Sequence, residues 1–445
     1  MLTFVGIALS KLLAGVMAFV TAVINPFSGY KPLPETPSNF TPVLRFAVAS
    51  DVHISEKTDE VERTRLAQFI NKAYDLAENS STGYKKLDAI AFAGDVSNSG
   101  LDTEAQAFIK ICKDNLRPGT QLLNVLGNHD LHHDGDTALT RFEKTFDAPL
   151  NYHVVINGFH LIGVSYSTNT DYSSEGVNTW LEKQLKQAVA DDETKPVFVF
   201  QHPHPFGTVY GSVHWGDLTT AAIYNRYSQV VVFSGHSHYP INDPRSLWQG
   251  SYTSVGTGTL SYFEMEKDLF AGQFPAGYRE AAQFRVIEVD KDGNTRVLSY
   301  DLLTDAYFGM DYYLTDFNKK SNFAYTFHNM KHIDTAPAFA LDAAVQARTD
   351  GNDRVSLSFP SAQDEFIVHD YKVDITDSHG KSVWSDSIMS HYYLNRYGDT
   401  ENLCIESLPL ENGTYRITVR AQNAYGRVSE PITGRLTVTD TVSPL

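Results

Sequence analysis

A chain of 445 residues is too long for one average domain, and 42% hydrophobic with 20% charged residues excludes disorder as its main state. Its 53 acidic and 36 basic residues give a formal charge of −17, which argues against a grip on the phosphates of a long nucleic acid. The two cysteines, Cys112 and Cys404, exclude a disulfide framework and a cysteine-built zinc site, whereas 16 histidines, eleven of them from His53 to His238, raise the prospect of metal ligation.

Residues 2–25 are almost all apolar, with the single charge Lys11. The unbroken run Leu12 to Ile24 has the length of a signal-peptide core, and the two halves together are long enough to span a bilayer. Export is the expectation, by a membrane anchor or a signal over 1–28, giving an anchored or extracellular protein; a buried helix is the competing reading. A Pro-rich linker, 29–42, follows. Strand-like Val43–Ser50, a helix through Leu66, Phe69, Ile70, Ala73, Tyr74 and Ala77, strand-like Leu87–Ala93, helical Asp102–Leu116 and strand-like Gln121–Leu126 then alternate. A hairpin turning at Asn157-Gly158, a helix at Trp180–Val189, buried strands at Pro196–Gln201 and Val230–Gly235, and a hairpin turning at Asp292-Gly293 complete the pattern. The expected fold class is α/β, a layered domain over 43–303. Residues 304–336 read as a connecting segment, and 337–441, with short alternating strands between regular turns, as an all-β sandwich.

Five patches fall at the ends of the predicted strands: Asp51-Val52-His53, Gly94-Asp95, Gly127-Asn128-His129-Asp130, Gln201-His202-Pro203-His204 and Gly235-His236-Ser237-His238. Ligands of α/β sheets bind beyond the carboxyl ends of strands, so these loops should converge. Their donors are oxygen and nitrogen only, a set that suits first-row metals, with enough groups for two metals sharing one carboxylate. Singly, each patch has an ordinary explanation: a helix cap, a turn dipeptide, a histidine satisfying a carbonyl. Five coincidences at five strand ends outweigh those readings.

In this order the motifs resemble calcineurin-like metallophosphoesterases over roughly residues 43–302. The resemblance implies two metal ions, Mn, Fe or Zn, divalent or mixed-valence. Asp51, His53, Asp95 and His238 would hold the first; Asp95, Asn128, His202 and His236 would hold the second, with Asp95 bridging. It implies hydrolysis of a small phosphate ester by in-line attack of a metal-bridging hydroxide, with His129 as general acid and Asp130 orienting it. His202 is preferred over His204 on register alone. The chain departs from the purple acid phosphatase branch, whose ligating Tyr is replaced by Asn98. A cyclic-nucleotide phosphodiesterase and a non-catalytic surface-binding protein of the same fold stay open. His132 and His133 could line the rim, though a solvated loop is the simpler reading; the loop Thr208–Asp217 is a candidate lid or substrate-side loop, with plain core packing the alternative for Trp215; His153 and His160 read as structural. Gly413–Pro431 resembles the late strands of a fibronectin type III module, which would bind a cell-surface polymer or protein partner, or only cover the enzyme.

Overall fold

The computed structural model describes residues 30–439 apart from 57–58, 134, 136, 167–174, 268–269, 350–352 and 396–397. The apolar stretch 2–25 lies outside the described residues; among those described, no helix is long and apolar enough to cross a membrane. The chain divides into two compact units, Met1–His332 and Ile333–Leu445.

In the first unit the apolar runs become strands, most of them buried on both faces and the edge strand Tyr152–Ile156 partly exposed. They are β1 (Pro42–Ala49), β2 (Ala89–Ala93), β3 (Gln121–Val125), β4 (Tyr152–Ile156), β5 (Phe159–Gly163), β6 (Val197–Phe200), β7 (Val230–Ser234), β8 (Leu247–Gln249), β9 (Thr253–Gly256), β10 (Gln283–Asp290) and β11 (Thr295–Asp301). One sheet runs β11-β10-β1-β2-β3, with β1, β2 and β3 parallel; the other runs β8-β9-β7-β6-β5-β4, with β9, β7, β6 and β5 parallel. The period of two along each strand sorts the side chains. Ala47, Ala49, Ile90 and Phe92 face the helices Asp59–Glu78 and Asp102–Asn115, while Val197, Val199, Val230 and Val232 face the helix Glu175–Asp191. The alternate residues meet between the sheets, where the Phe46 ring packs on Phe198, Phe200 and Phe233 at 5.2, 5.9 and 5.6 Å. The order is therefore helix, sheet, sheet, helix. Asn157 and Gly158 both take positive φ, the geometry their hairpin turn needs.

Residues 304–332 do more than connect. Tyr312–Leu314 pairs with β11 and extends the first sheet. Their mixed signal has a physical cause: a three-residue strand is too short to show a period.

The second unit is all-β. One sheet holds Gln346–Thr349, Val355–Pro360 and Thr400–Ile405; the other holds Ser382–Met389, Val368–Thr376, Gly413–Asn423 and Ile432–Val438 in that order. Val355, Leu357 and Phe359 from one sheet and Tyr371, Val373, Ile417 and Val419 from the other share one core. The Tyr415 hydroxyl donates to the Glu411 carbonyl at 3.0 Å and pins the turn before the longest strand.

Phe46 is fully buried at the seam between the two sheets. Phe46→Ala is expected to destabilise the first unit by about 3–5 kcal/mol. Urea unfolding would check it, and an unchanged midpoint would show that the seam closes without this ring.

Candidate metal centre

All the expected patches lie just past the carboxyl ends of parallel strands. Asp51 and His53 follow β1, Asp95 follows β2, Asn128 and His129 follow β3, His202 follows β6, and His236 and His238 follow β7. The strands bring these side chains into two groups, Asp51, His53, Asp95 and His238, and Asp95, His202 and half-buried His236, each with ligand atoms within 4.8 Å of one another. Asp95 belongs to both. Five of these residues, Asp51, His53, Asp95, His236 and His238, take left-handed backbone conformations with φ of 52 to 73°. Such conformations are uncommon outside glycine and persist where the surroundings enforce them. Here backbone bonds do so: the amides of Val52 and His53 donate to the Asp95 carbonyl at 2.9 and 3.1 Å.

The protons of two histidines are placed by their partners. His238 Nδ1 lies 2.9 Å from the Tyr262 carbonyl and His202 Nδ1 2.8 Å from the Ala93 carbonyl. A carbonyl can only accept, so each Nδ1 carries the proton and the neutral ring turns a lone pair on Nε2 inward. Those lone pairs meet more acceptors. His238 Nε2 stands 3.1 Å from Asp51 Oδ1 and 3.1 Å from His53 Nε2, and His202 Nε2 stands 3.0 Å from Asp95 Oδ2. The Asn128 carboxamide oxygen, shut off from solvent, accepts no hydrogen bond among the described residues. Converging acceptors of this kind are what a cation satisfies, and the outward Nδ1–carbonyl bonds are the usual support of a metal-ligating histidine. The residues present fit metal ions.

The electrostatics agree. Burial opposes charge on His202, yet the Asp95 and Asp51 carboxylates outweigh it and push its pKa up to about 9. His238 is raised likewise by Asp51 against the cost of burial. Burial, with His238 adjacent, lowers His53 to about 3; burial, with His202 adjacent, lowers His236 to about 3. Burial would raise Asp51 and Asp95, but the neighbouring histidines hold both well below the usual carboxylate range.

The calcineurin-like phosphoesterase family model matches residues 44–240. This chain carries a calcineurin-like phosphoesterase domain. No curated protein matches the chain. Among solved structures, a family 76 glycoside hydrolase from a bovine Bacteroides thetaiotaomicron strain is 15% identical over 25% of this chain and 22% of its own, with a TM-score of 0.18. The fibronectin(III)-like modules of Clostridium thermocellum CbhA are 12% identical over 38% and 66%, with a TM-score of 0.14. A glycosyl hydrolase family 2 member from Bacteroides cellulosilyticus is 10% identical over 89% and 63%, with a TM-score of 0.23. The chain thus spans under a quarter of the first of these structures, and at such TM-scores none bears on its fold or chemistry.

Within the phosphoesterase domain His129 stands beside the first group, its ring 4.6 Å from that of His53. Asp130 does not orient it, contrary to expectation. The His129 Nδ1 lies 2.8 Å from the Asn98 carbonyl, which takes that role. The Asp130 carboxylate turns the other way and accepts from the amides of Ser97 and Gly127 at 2.8 Å each and from the Ser97 hydroxyl at 2.7 Å. A short side chain that ties down two loops cannot also reach the ring. Burial, with Asp95 nearby, pushes its pKa up to about 6. Of the fourth patch, His202 joins the cluster while His204 is held between the Ser234 and Ser237 hydroxyls at 2.8 Å each. Trp215 meets the His236 ring edge-on at 5.3 Å and His132 lies 4.2 Å from His129, so both border the centre. His153 and His160 pair with each other at 2.7 Å on the β4–β5 hairpin.

One contributing segment went unseen in the sequence. Beyond β9, the hydroxyls of Thr259 and Ser261 donate to the Asp51 carbonyl at 3.2 and 2.8 Å, and Tyr262 supplies the carbonyl that fixes His238. The run Thr253–Val255 between glycines was the available signal.

Two glycines are required by close approach. A Cβ on Gly127 would collide with the Asp95 carboxylate, and one on Gly235 with Ser50 and Asp51. Gly127→Ala is expected to leave the far-ultraviolet dichroism intact and to cut bound metal several-fold, read by elemental analysis; full metal content would refute the contact. A second expectation follows from the sign of the His202 shift. With its metal-free pKa near 9, His202 is protonated at pH 7 and must lose that proton to offer Nε2 to a metal. Metal loading at pH 7 should therefore release protons, and the release should fade above pH 9. Titration calorimetry in buffers of different ionisation heat measures it, and no release at pH 7 would contradict the assignment.

Proposed function

We propose that the chain is a metal-dependent phosphoester hydrolase with two metal ions. Asp51, His53, Asp95 and His238 would hold one and Asp95, Asn128, His202 and His236 the other, with Mn, Fe or Zn suited to this oxygen and nitrogen set. The observation that carries the reading is the sharing of Asp95 between two groups whose histidine lone pairs face carboxylates. When bound, such a pair of metals supplies positive charge for the phosphoryl oxygens and activates water as a nucleophile.

The chain's own residues supply the rest. The histidines and Asn128 contribute no negative charge, so the only anionic ligands are Asp51 and Asp95 and the centre stays attractive to a phosphate. Asn98 accepts the Nδ1 proton of His129, which fixes the ring and lets Nε2 hold a second proton for the departing oxygen. The His129 amide donates to Asp95 Oδ1 at 2.9 Å, which places this acid by the same carboxylate that joins the two groups.

His129→Ala is expected to lower turnover about 10²–10⁴-fold while keeping its metals. Asp95→Ala should lose both turnover and metal. Hydrolysis of 4-nitrophenyl phosphate and bis(4-nitrophenyl) phosphate, with elemental analysis of the same samples, checks the pair; equal metal loss in both variants would remove the distinction between acid and ligand.

A further inference from the structure

The segment after β9 brings more than hydrogen-bond clamps to the centre. The Glu264 amide donates to the His238 carbonyl at 3.4 Å. Its carboxylate lies within electrostatic reach of His238, Asp51 and His129. On its other side is Gly272, where a Cβ would stand 3.5 Å from Glu264 Oε2 and 3.6 Å from the Trp215 ring. Glu264 is therefore a carboxylate on the wall of the centre that belongs to neither metal group. An anion at this place is a liability for binding phosphate unless it serves selection.

The same segment carries an aromatic face. The Tyr262 ring lies on His238 with centroids 4.1 Å apart, Phe274 follows at 5.9 Å and Tyr278 at 5.0 Å. Phe274 is 58% exposed, a large apolar ring in solvent beside a polar centre. Rings in such a row offer flat surfaces for another ring.

We infer that this rim makes the centre selective for a phosphodiester, with Glu264 repelling the second negative charge of a phosphomonoester and the Tyr262–Phe274 face holding a planar group on one ester arm. The inference rests on the phosphoesterase reading above. Near pH 8 a monoester carries two negative charges and a diester one, so one fixed carboxylate separates them through Coulomb repulsion. Hydrolysis of a diester adds water across one P–O bond: the water oxygen joins phosphorus, the alcohol leaves with a proton, and a second proton goes to solvent. The product is a monoester with one more negative charge. Glu264 therefore favours its departure, and the reaction stops at that stage.

Three probes with one leaving group test this on the metal-loaded full chain at pH 8. They are 4-nitrophenyl phosphate, methyl 4-nitrophenyl phosphate and bis(4-nitrophenyl) phosphate. Comparing ratios of kcat/KM between variants cancels the intrinsic reactivity of each ester. Glu264→Gln is expected to lower the methyl diester to monoester ratio about tenfold. Phe274→Ala is expected to lower the bis(4-nitrophenyl) to methyl diester ratio several-fold. Titration calorimetry supplies a readout without turnover: phenylphosphonate, a dianion, should gain more affinity in Glu264→Gln than its monoanionic methyl ester does. Unchanged ratios and unchanged phenylphosphonate binding in Glu264→Gln overturn the charge selection, and so does a wild-type preference for the monoester. Failure of wild-type protein on all three esters overturns the phosphoesterase reading itself, and this inference with it.

Discussion

Each metal group is assembled from both sheets. Asp51, His53 and Asp95 come from the first sheet and His202, His236 and His238 from the second. Neither sheet holds a complete ligand set, so the centre exists only where the ends of the parallel strands meet across the Phe46, Phe198, Phe200 and Phe233 contact. The Asp95 and Asp51 carboxylates draw in His202 and His238 from the opposite sheet. The apolar layer beneath them fixes where the strand ends meet, and the loops keep what the strands impose.

Those loops hold geometry through the backbone more than through side chains. Left-handed Asp51, His53, Asp95, His236 and His238 point their side chains inward from sharp turns, and Gly127 and Gly235 leave room for the carboxylates. The Ala93 and Tyr262 carbonyls choose the histidine tautomers, and the Asn98 carbonyl holds the His129 ring. Burial of the whole then sets the charge states, lowering His53 and His236 while Asp95 and Asp51 raise His202 and His238.

The layered α/β class and the all-β second unit were legible in the sequence because continuous apolar runs and strict alternation are direct prints of strands buried on two faces and on one. Gathering Asp51, His53, Asp95, His202, His236 and His238 was legible for a different reason: each follows a buried parallel strand, and topology alone then brings the ends together. What escaped were contacts made by groups common to all residues. The carbonyls of Asn98 and Tyr262 leave no trace in residue identity, so the sequence points to Asp130, the visible polar neighbour, where the Asn98 carbonyl holds the His129 ring. Register favours His202 over His204, and what holds His204 away, the Ser234 and Ser237 hydroxyls, leaves no mark on register. The strand Tyr312–Leu314 escaped because three residues carry no readable period.

The seam beneath the centre makes the ligand cluster its most sensitive gauge. Hydrogen bonds keep each sheet intact, and the two sheets are joined by side-chain packing, the clamps on Asp51 and a few bonds such as Arg285 to the Gly256 carbonyl and the Tyr166 amide to the Leu126 carbonyl. A small sliding of one sheet against the other would leave every strand in place and still pull His238 from Asp51 and His202 from Asp95. Heat or mild denaturant should therefore separate these side chains before secondary structure is lost, and cations bound between them would bridge the two layers and rivet the domain.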